Sequence, residues 1–209
     1  MLQCLPSRER TTENRNNQMR SAIHRFALFF GSFIGFGVHT ADSMRLVVQR
    51  VTSASVTVDD KVVSRIGPGI LALVGIHEDD SQDDLEHCCK RLINCKLWPN
   101  DNGGMWRHSM KQKDFECLLV SQFTLYGTLS KKHQPDYKLS MKADPASELY
   151  ANFVSMVRDR YNPEKVKDGV FGAMMDVALI NDGPVTLIIE STPEKQPPET
   201  PVGTQNTES

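Results

Sequence analysis

The stretch Asn181-Asp182-Gly183-Pro184-Val185-Thr186 lies between two apolar runs, Met174–Ile180 and Val185–Glu190. Asn, Asp and Gly tolerate positive φ, and Pro fixes φ while removing a donor. The local reading is a hairpin turn between two strands. A second reading makes Gly183-Pro184 a rigid backbone wedge. Composition does not predict a cis bond there, because only about 5–6% of X-Pro bonds in folded proteins are cis.

Working back from that stretch, the preceding segments read mostly as strands. Leu46–Val51 is rich in β-branched residues, and Ser55–Val58 and Lys61–Ile66 flank Asp59-Asp60 as a hairpin. Ile70–Ile76 is a continuous apolar run, as expected of a strand buried on both faces. Ser81 is a suitable N-cap for a helix whose buried stripe is Leu85, Cys88, Cys89, Leu92 and Ile93. Lys96–Trp98 and Phe115–Val120 read as further strands, the latter running into Ser121-Gln122-Phe123-Thr124-Leu125. Asp144-Pro145 predicts a helix start, with Asp144 as cap, and the helix runs to about Tyr161. About eight strands and two long helices result. Strands cluster rather than alternate with helices, which predicts an α+β fold on a mainly antiparallel, barrel-like sheet.

The chain has 209 residues and a formal net charge of −2, so any nucleic-acid partner must be met by a local patch. Lys131, Lys132, His133, Lys138 and Lys142 form one basic segment. It is either a phosphate-binding patch or a solvated face. Five cysteines form no CxxC pair and leave an odd count, a poor disulfide framework. They read as reduced thiols in an intracellular compartment, which points to the cytoplasm. No apolar run reaches the roughly 20 residues that span a bilayer, and no membrane role is expected.

Residues 1–43 differ from the rest. Five arginines precede the apolar run Phe26–Val38, giving either an organelle-targeting segment or an unstructured extension. The folded domain is expected over residues 44–192. Residues 193–209 are rich in Pro, Thr, Glu and Gln and read as a disordered tail.

No phosphate-binding glycine loop, zinc motif or serine-nucleophile elbow is present, and the six histidines show no metal-ligand spacing with the cysteines. No cofactor and no metal are expected. No side-chain constellation announces a general base, which points to a substrate that supplies its own chemistry.

Two separated motifs carry a resemblance. The opening Met44–Val51, the Ser121–Leu125 stretch, the run Lys167-Asp-Gly-Val-Phe-Gly172 and Asn181–Thr186 together resemble the D-aminoacyl-tRNA deacylase family, over about Met44 to Thr192. The resemblance implies a compact β-barrel-like domain working as a homodimer, which hydrolyses the ester between a D-amino acid and the terminal ribose of tRNA. It implies a cis Gly183-Pro184 peptide contributed across the dimer to the partner's site, beside Ser121–Thr124. A sister family that edits L-aminoacyl-tRNA carries this peptide in trans and has Pro where this chain has Ser121. Ser121, with Gln49-Arg50, therefore points to the D-specific branch. A non-catalytic nucleic-acid-binding module on the same fold is the alternative of another class.

The physical reading of such a site is rejection by clash. A locked backbone at Gly183 and Pro184 blocks the L side chain without gripping the D one, so achiral glycyl esters are expected to pass. Ser121 is assigned to substrate binding. Gln122 is a candidate to bind the ester carbonyl and its developing oxyanion. Phe123 either stacks on the terminal adenine or is a core residue at a strand end. Thr124 is either a nucleophile or a positioning hydroxyl, with the ribose 2′-hydroxyl and a water doing the chemistry. Arg50 is a candidate to support the wedge carbonyls, or else a surface arginine. Met141 and Phe171 either line the pocket or pack the core. Lys131, Lys132, Lys138 and Lys142 are candidates for acceptor-stem phosphates.

Overall fold

A computed structural model describes residues 43–191. The expected leader and tail lie outside the described residues, apart from Ser43. The long first strand β1 (Arg45–Val58) runs without interruption through Thr52-Ser53-Ala54. It turns at Asp59 and Asp60, both at positive φ (48° and 60°), into β2 (Lys61–Ile66), giving the hairpin read from the sequence. Then come β3 (Gly69–Gly75), helix α1 (Gln82–Asn94), β4 (Lys96–Trp98), β5 (His108–Ser109) and the single turn α2 (Met110–Lys113). The strand β6 (Glu116–Ser121) leads directly into a 3₁₀ turn, Phe123–Tyr126. The small ribbon β7 (Thr128–Leu129) and β8 (Pro135–Asp136), helix α3 (Ala143–Arg160), β9 (Val166–Asp168) and β10 (Asp176–Glu190) complete the described chain.

The main sheet has the order β10-β1-β3-β6-β9, with β2 also paired to β1. It is mixed, not mainly antiparallel. The pairs β1–β10, β1–β2 and β1–β3 are antiparallel, but β3–β6 and β6–β9 are parallel. The cause is in the connections. Between β3 and β6 the chain passes through α1, and between β6 and β9 through α3. A helical crossover of that length returns a strand parallel to the one it left. A side-chain bond from Ser64 of β2 to the Asp168 carbonyl of β9 joins the sheet's far sides and curls it toward a barrel.

Alternation along the strands builds two cores. Ile70, Ala72, Val74, Cys117 and Leu119 face α1 and α3, where they meet Leu85, Cys88, Leu92, Phe153 and Val157. Leu71, Leu118 and Val120 point the other way, against Val51, Val56 and Ile66. Strand β3 is thus buried on both faces, as its unbroken apolar run predicts.

Helix α1 has Ser81 at its N-cap, and the Asp84 carboxylate accepts both the Ser81 N–H at 2.8 Å and the Ser81 hydroxyl at 2.7 Å. Helix α3 starts two residues earlier than its sequence suggests. Lys142 is the N-cap and Asp144 lies in the first turn. Pro145 sits at the third helical position, where its missing N–H breaks no helical bond, and Asp144 still meets the helix dipole favourably.

The stretch 181–186 is not a hairpin turn. From Asp176 on, both apolar runs flanking it belong to β10, and both pair with β1 rather than with each other. Arg50 pairs with Val185 and Val51 with Asn181, so Asp182, Gly183 and Pro184 have no partner in the register and bulge from the strand. Gly183 has φ +119°, and its peptide to Pro184 is cis. Proline has no donor to give the ladder, so a bulge accommodates it.

Candidate active site

The parallel strands β3 and β6 end together. Val74 pairs with Ser121, and the Gln122 N–H continues the ladder to the Val74 carbonyl at 2.8 Å. Beyond this point the chain turns into the 3₁₀ segment and opens a cavity of about 760 Å³. Ser121, Gln122, Phe123, Thr124, Met141 and Phe171 all line it, so six separate sequence candidates meet in one place. Mouths at the carboxyl ends of parallel strands commonly hold ligands.

Each wall has a local cause. Phe123 is 58% exposed, not a core residue, and stands edge-on to Tyr137 with centroids 5.0 Å apart. Its carbonyl accepts the Ser140 hydroxyl at 2.7 Å. The segment bearing Tyr137, Ser140 and Met141 is held by Glu78 N–H to Leu139 O and Met141 N–H to Ile76 O, both 3.1 Å. Phe171 leans on Tyr150, centroids 5.7 Å apart, and the Tyr150 hydroxyl donates to the Leu119 carbonyl at 2.9 Å. Met141 and Phe171 therefore do both things the sequence left open: they pack against the core and face the cavity.

The Gln122 side-chain amide donates to the Thr124 hydroxyl oxygen. That hydroxyl is thus an acceptor toward Gln122, and its own proton is free to point at a ligand. Among the described residues, no Asp, Glu, His, Lys, Arg or Cys lines the cavity. Thr124 has no side chain there to deprotonate it. The described cysteines are free, and burial pushes the Cys88 thiol up to about 12 and those of Cys89 and Cys95 up to about 11. None offers a thiolate nucleophile near neutral pH.

Gly183 and Pro184 do not line the cavity of their own chain, and both are exposed. Behind them lies Arg50, only 8% exposed and therefore no surface arginine. Its Nε donates to the Asp182 carbonyl at 3.3 Å and lies 3.0 Å from the Asp182 carboxylate, while Nη1 donates to the carbonyl of Leu97. Lys131 and Lys132 sit in the turn between β7 and β8, Lys138 follows Tyr137, and Lys142 caps α3. All four are exposed, and none pairs with an acid among the described residues.

Tyr137, Ser140 and the Ala173–Met175 rim carry no sequence signal as site residues. They reach the cavity through tertiary folding of loops. Among the described residues, His77, Glu78 and Asp79 bring metal-capable atoms within 4.8 Å of one another, but the His77 Nδ1 already accepts the Asp79 N–H at 3.2 Å. No helix among the described residues is long and apolar enough to cross a membrane.

Residues 47–190 match the family described as D-Tyr-tRNA(Tyr) deacylase. A D-aminoacyl-tRNA deacylase of Dictyostelium discoideum is 45% identical over 149 residues, which are 71% of this chain and 98% of that protein. D-aminoacyl-tRNA deacylase 1 of Homo sapiens is 45% identical over 148 residues, 71% of this chain and 70% of that one. The solved structure of a c-Myc DNA Unwinding Element Binding Protein superposes with a TM-score of 0.69 at 44% identity, over 71% of this chain and 99% of that chain. A second structure, of a probable eukaryotic D-amino acid tRNA deacylase, shares the fold at 19% identity with a TM-score of 0.62. The chain, with its 3₁₀ segment opening on a cavity and its Gly-Pro bulge, belongs to the D-Tyr-tRNA(Tyr) deacylase family.

Proposed function

We propose that this protein hydrolyses the ester bond of D-aminoacyl-tRNA, releasing free D-amino acid and tRNA, and so serves translational proofreading. The observation that carries the reading is the cavity itself. Among the described residues it is lined by apolar side chains, hydroxyls (the Tyr137 phenol among them) and one amide, with no carboxylate, imidazole, amine, guanidinium or thiol on its walls. Such a site binds and positions. The adjacent ribose 2′-hydroxyl and a water then supply the proton transfer, while Gln122, nearby backbone N–H groups and the Thr124 hydroxyl stabilise charge on the ester oxygen. Phe123, exposed at the mouth, offers a face for the terminal adenine.

In this reading the protein works as a homodimer, and Gly183-Pro184 of one chain reaches the cavity of the other. Two features support it. The bulge is exposed and away from its own cavity, and β10 ends the sheet with exposed Ile180 and Ile188. The backbone wedge excludes the L side chain and leaves the D side chain unread, so many D-aminoacyl groups, and glycyl groups, are accepted. Domain limits of 44–192 go with it. Lys131, Lys132, Lys138 and Lys142 meet the acceptor-stem phosphates.

The test is hydrolysis of D-tyrosyl-tRNA against L-tyrosyl-tRNA by the full chain. Cleavage of the D ester alone is the expected result, and equal failure on both overturns the reading. A second reading, nucleic-acid binding without catalysis, draws on the name of the 44% identical relative. Tight DNA or RNA binding with no ester cleavage would favour it.

A further inference from the structure

The 3₁₀ segment that presents Gln122, Phe123 and Thr124 is only four residues long. A turn of that length cannot hold itself. Its internal bonds are Leu125 N–H to Gln122 O at 3.3 Å and Gly127 N–H to Thr124 O at 2.9 Å. Something outside must fix it.

At its N-terminal end the Gln122 N–H and the Phe123 carbonyl are tied to Val74 and Ser140; at its C-terminal end the tie comes from the first residue of β1. Arg45 Nη1 donates to the Leu125 carbonyl at 3.0 Å. Its guanidinium carbon stands 5.4 Å from the centroid of the Tyr126 ring, a cation–π distance. Its Nε donates to Glu190 Oε1 at 2.7 Å, and Glu190 is its direct partner across the β1–β10 ladder. One side chain therefore makes two contacts to the turn and one to the sheet edge that orients it. The carbonyl it takes lies at the C-terminal end of the turn, where unpaired carbonyls favour a cation. Tyr126 is a further anchor. It is buried, and its hydroxyl points at the carbonyls of Ser43 at 2.7 Å and Gly75 at 3.3 Å.

We infer that Arg45 is a positioning residue for the reaction: oriented by Glu190, it clamps the Leu125 carbonyl and the Tyr126 ring and so fixes Gln122 and Thr124 in the cavity. The inference rests on the deacylase reading above. Arg45 touches no cavity wall itself, so it acts on geometry and not on substrate affinity. A small displacement of Gln122 and Thr124 weakens the alignment that the transition state needs and leaves ground-state binding largely intact.

The test is steady-state hydrolysis of D-tyrosyl-tRNA by wild type, Arg45→Ala, Arg45→Gln, Glu190→Gln and the double variant Arg45→Ala/Glu190→Gln, well below the unfolding midpoint of each. Arg45→Ala is expected to lower kcat by about ten- to a hundredfold with KM within about twofold. Arg45→Gln, which keeps a donor, is expected to recover part of the loss and guards against a folding defect in the alanine variant. Glu190→Gln is expected to cost less than Arg45→Ala, and the double variant no more, because Glu190 works only through Arg45. The preference for D over L is expected to stay unchanged. An Arg45→Ala kcat within twofold of wild type, a loss confined to KM, or a multiplicative double variant would overturn the inference. Should the wild type cleave no D ester, the functional reading fails on its own. The clamp is then decided by hydrogen exchange at the Gly127 amide, faster in Arg45→Ala if Arg45 holds the turn and unchanged if it does not.

Discussion

Arg50 and Asp182 are joined twice: the Arg50 Nε donates to the Asp182 carbonyl at 3.3 Å and lies 3.0 Å from its carboxylate. The second arm of the same guanidinium reaches the buried Leu97 carbonyl. Arg50 therefore ties the Gly183-Pro184 bulge to the body of the domain. Lys in its place has one compact donor group and cannot serve both carbonyls. Arg50→Lys is expected to destabilise the fold by about 1–3 kcal/mol, the cost of one buried acceptor left unpaired. It is also expected to slow D-ester cleavage. Denaturant unfolding beside a deacylation assay checks both; a variant as stable and active as wild type removes Arg50 from the account.

The ribose 2′-hydroxyl is the proposed proton carrier because, among the described residues, the cavity walls hold no carboxylate, imidazole or amine. A D-tyrosyl-tRNA ending in 2′-deoxyadenosine, with the ester on the 3′-oxygen, is expected to lose about 10²-fold or more in rate, the usual worth of a placed proton-transfer group. Full-rate cleavage of that substrate would return the burden to a protein group such as Thr124.

Exposed lysines at the β7–β8 turn are expected to act through phosphate charge. Lys131→Ala with Lys132→Ala should weaken tRNA binding and flatten the slope of log affinity against log salt by about 1 to 2. A filter-binding series over salt concentration measures it. An unaltered slope places the phosphate contacts elsewhere.

Asp80 makes stability depend on pH. Burial pushes its carboxyl up to about 7 from 3.8, against the pull of the His77 N–H it accepts at 2.7 Å and with help from the neighbouring charges of Asp84 and Asp79. The folded state thus prefers the neutral acid. Below pH 3.8 the group is neutral in both states and costs nothing. The penalty grows between pH 3.8 and 7 and is constant above. Asp80→Asn keeps an acceptor oxygen for His77 and removes the charge. Its unfolding midpoint is expected to exceed that of wild type at pH 8, with the gain shrinking toward pH 4. A gain independent of pH would contradict the linkage.

Much of the fold is legible because it rests on local pattern. The unbroken run in β3, the Asp59-Asp60 turn and the Ser81 cap each carry their own signal. Sheet direction does not. Whether β6 lies parallel to β3 depends on a helical crossover between them, and strand composition is blind to that. The 181–186 stretch misleads for a related reason. Asn, Asp, Gly and Pro serve equally in a turn and in a bulge, and only the 14-residue length of β1, long enough to pair with both apolar runs, decides between them. The short β5, β7, β8 and β9 have two or three residues each and no period to read. At the site, Ser121–Thr124 announce themselves as a motif at a strand end. Tyr137, Ser140 and Met174 come from loops that only tertiary bonds bring to the cavity. Met174 is 93% exposed and reads in sequence as the start of a strand.

The central claim is that chirality is selected by the backbone at Gly183. A Cβ there would lie 2.9 Å from Val185 Cγ2 and 3.1 Å from the Val185 nitrogen, at a φ of +119° that L side chains rarely adopt. Gly183→Ala must therefore shift the wedge while leaving the cavity walls of its own chain alone. The measurement is the ratio of kcat/KM for D-tyrosyl-tRNA to that for L-tyrosyl-tRNA, in wild type and in Gly183→Ala. The account predicts a ratio far above one in wild type that falls by about tenfold or more in the variant. A ratio unchanged by the substitution would contradict it and move chiral selection to the side chains of the cavity.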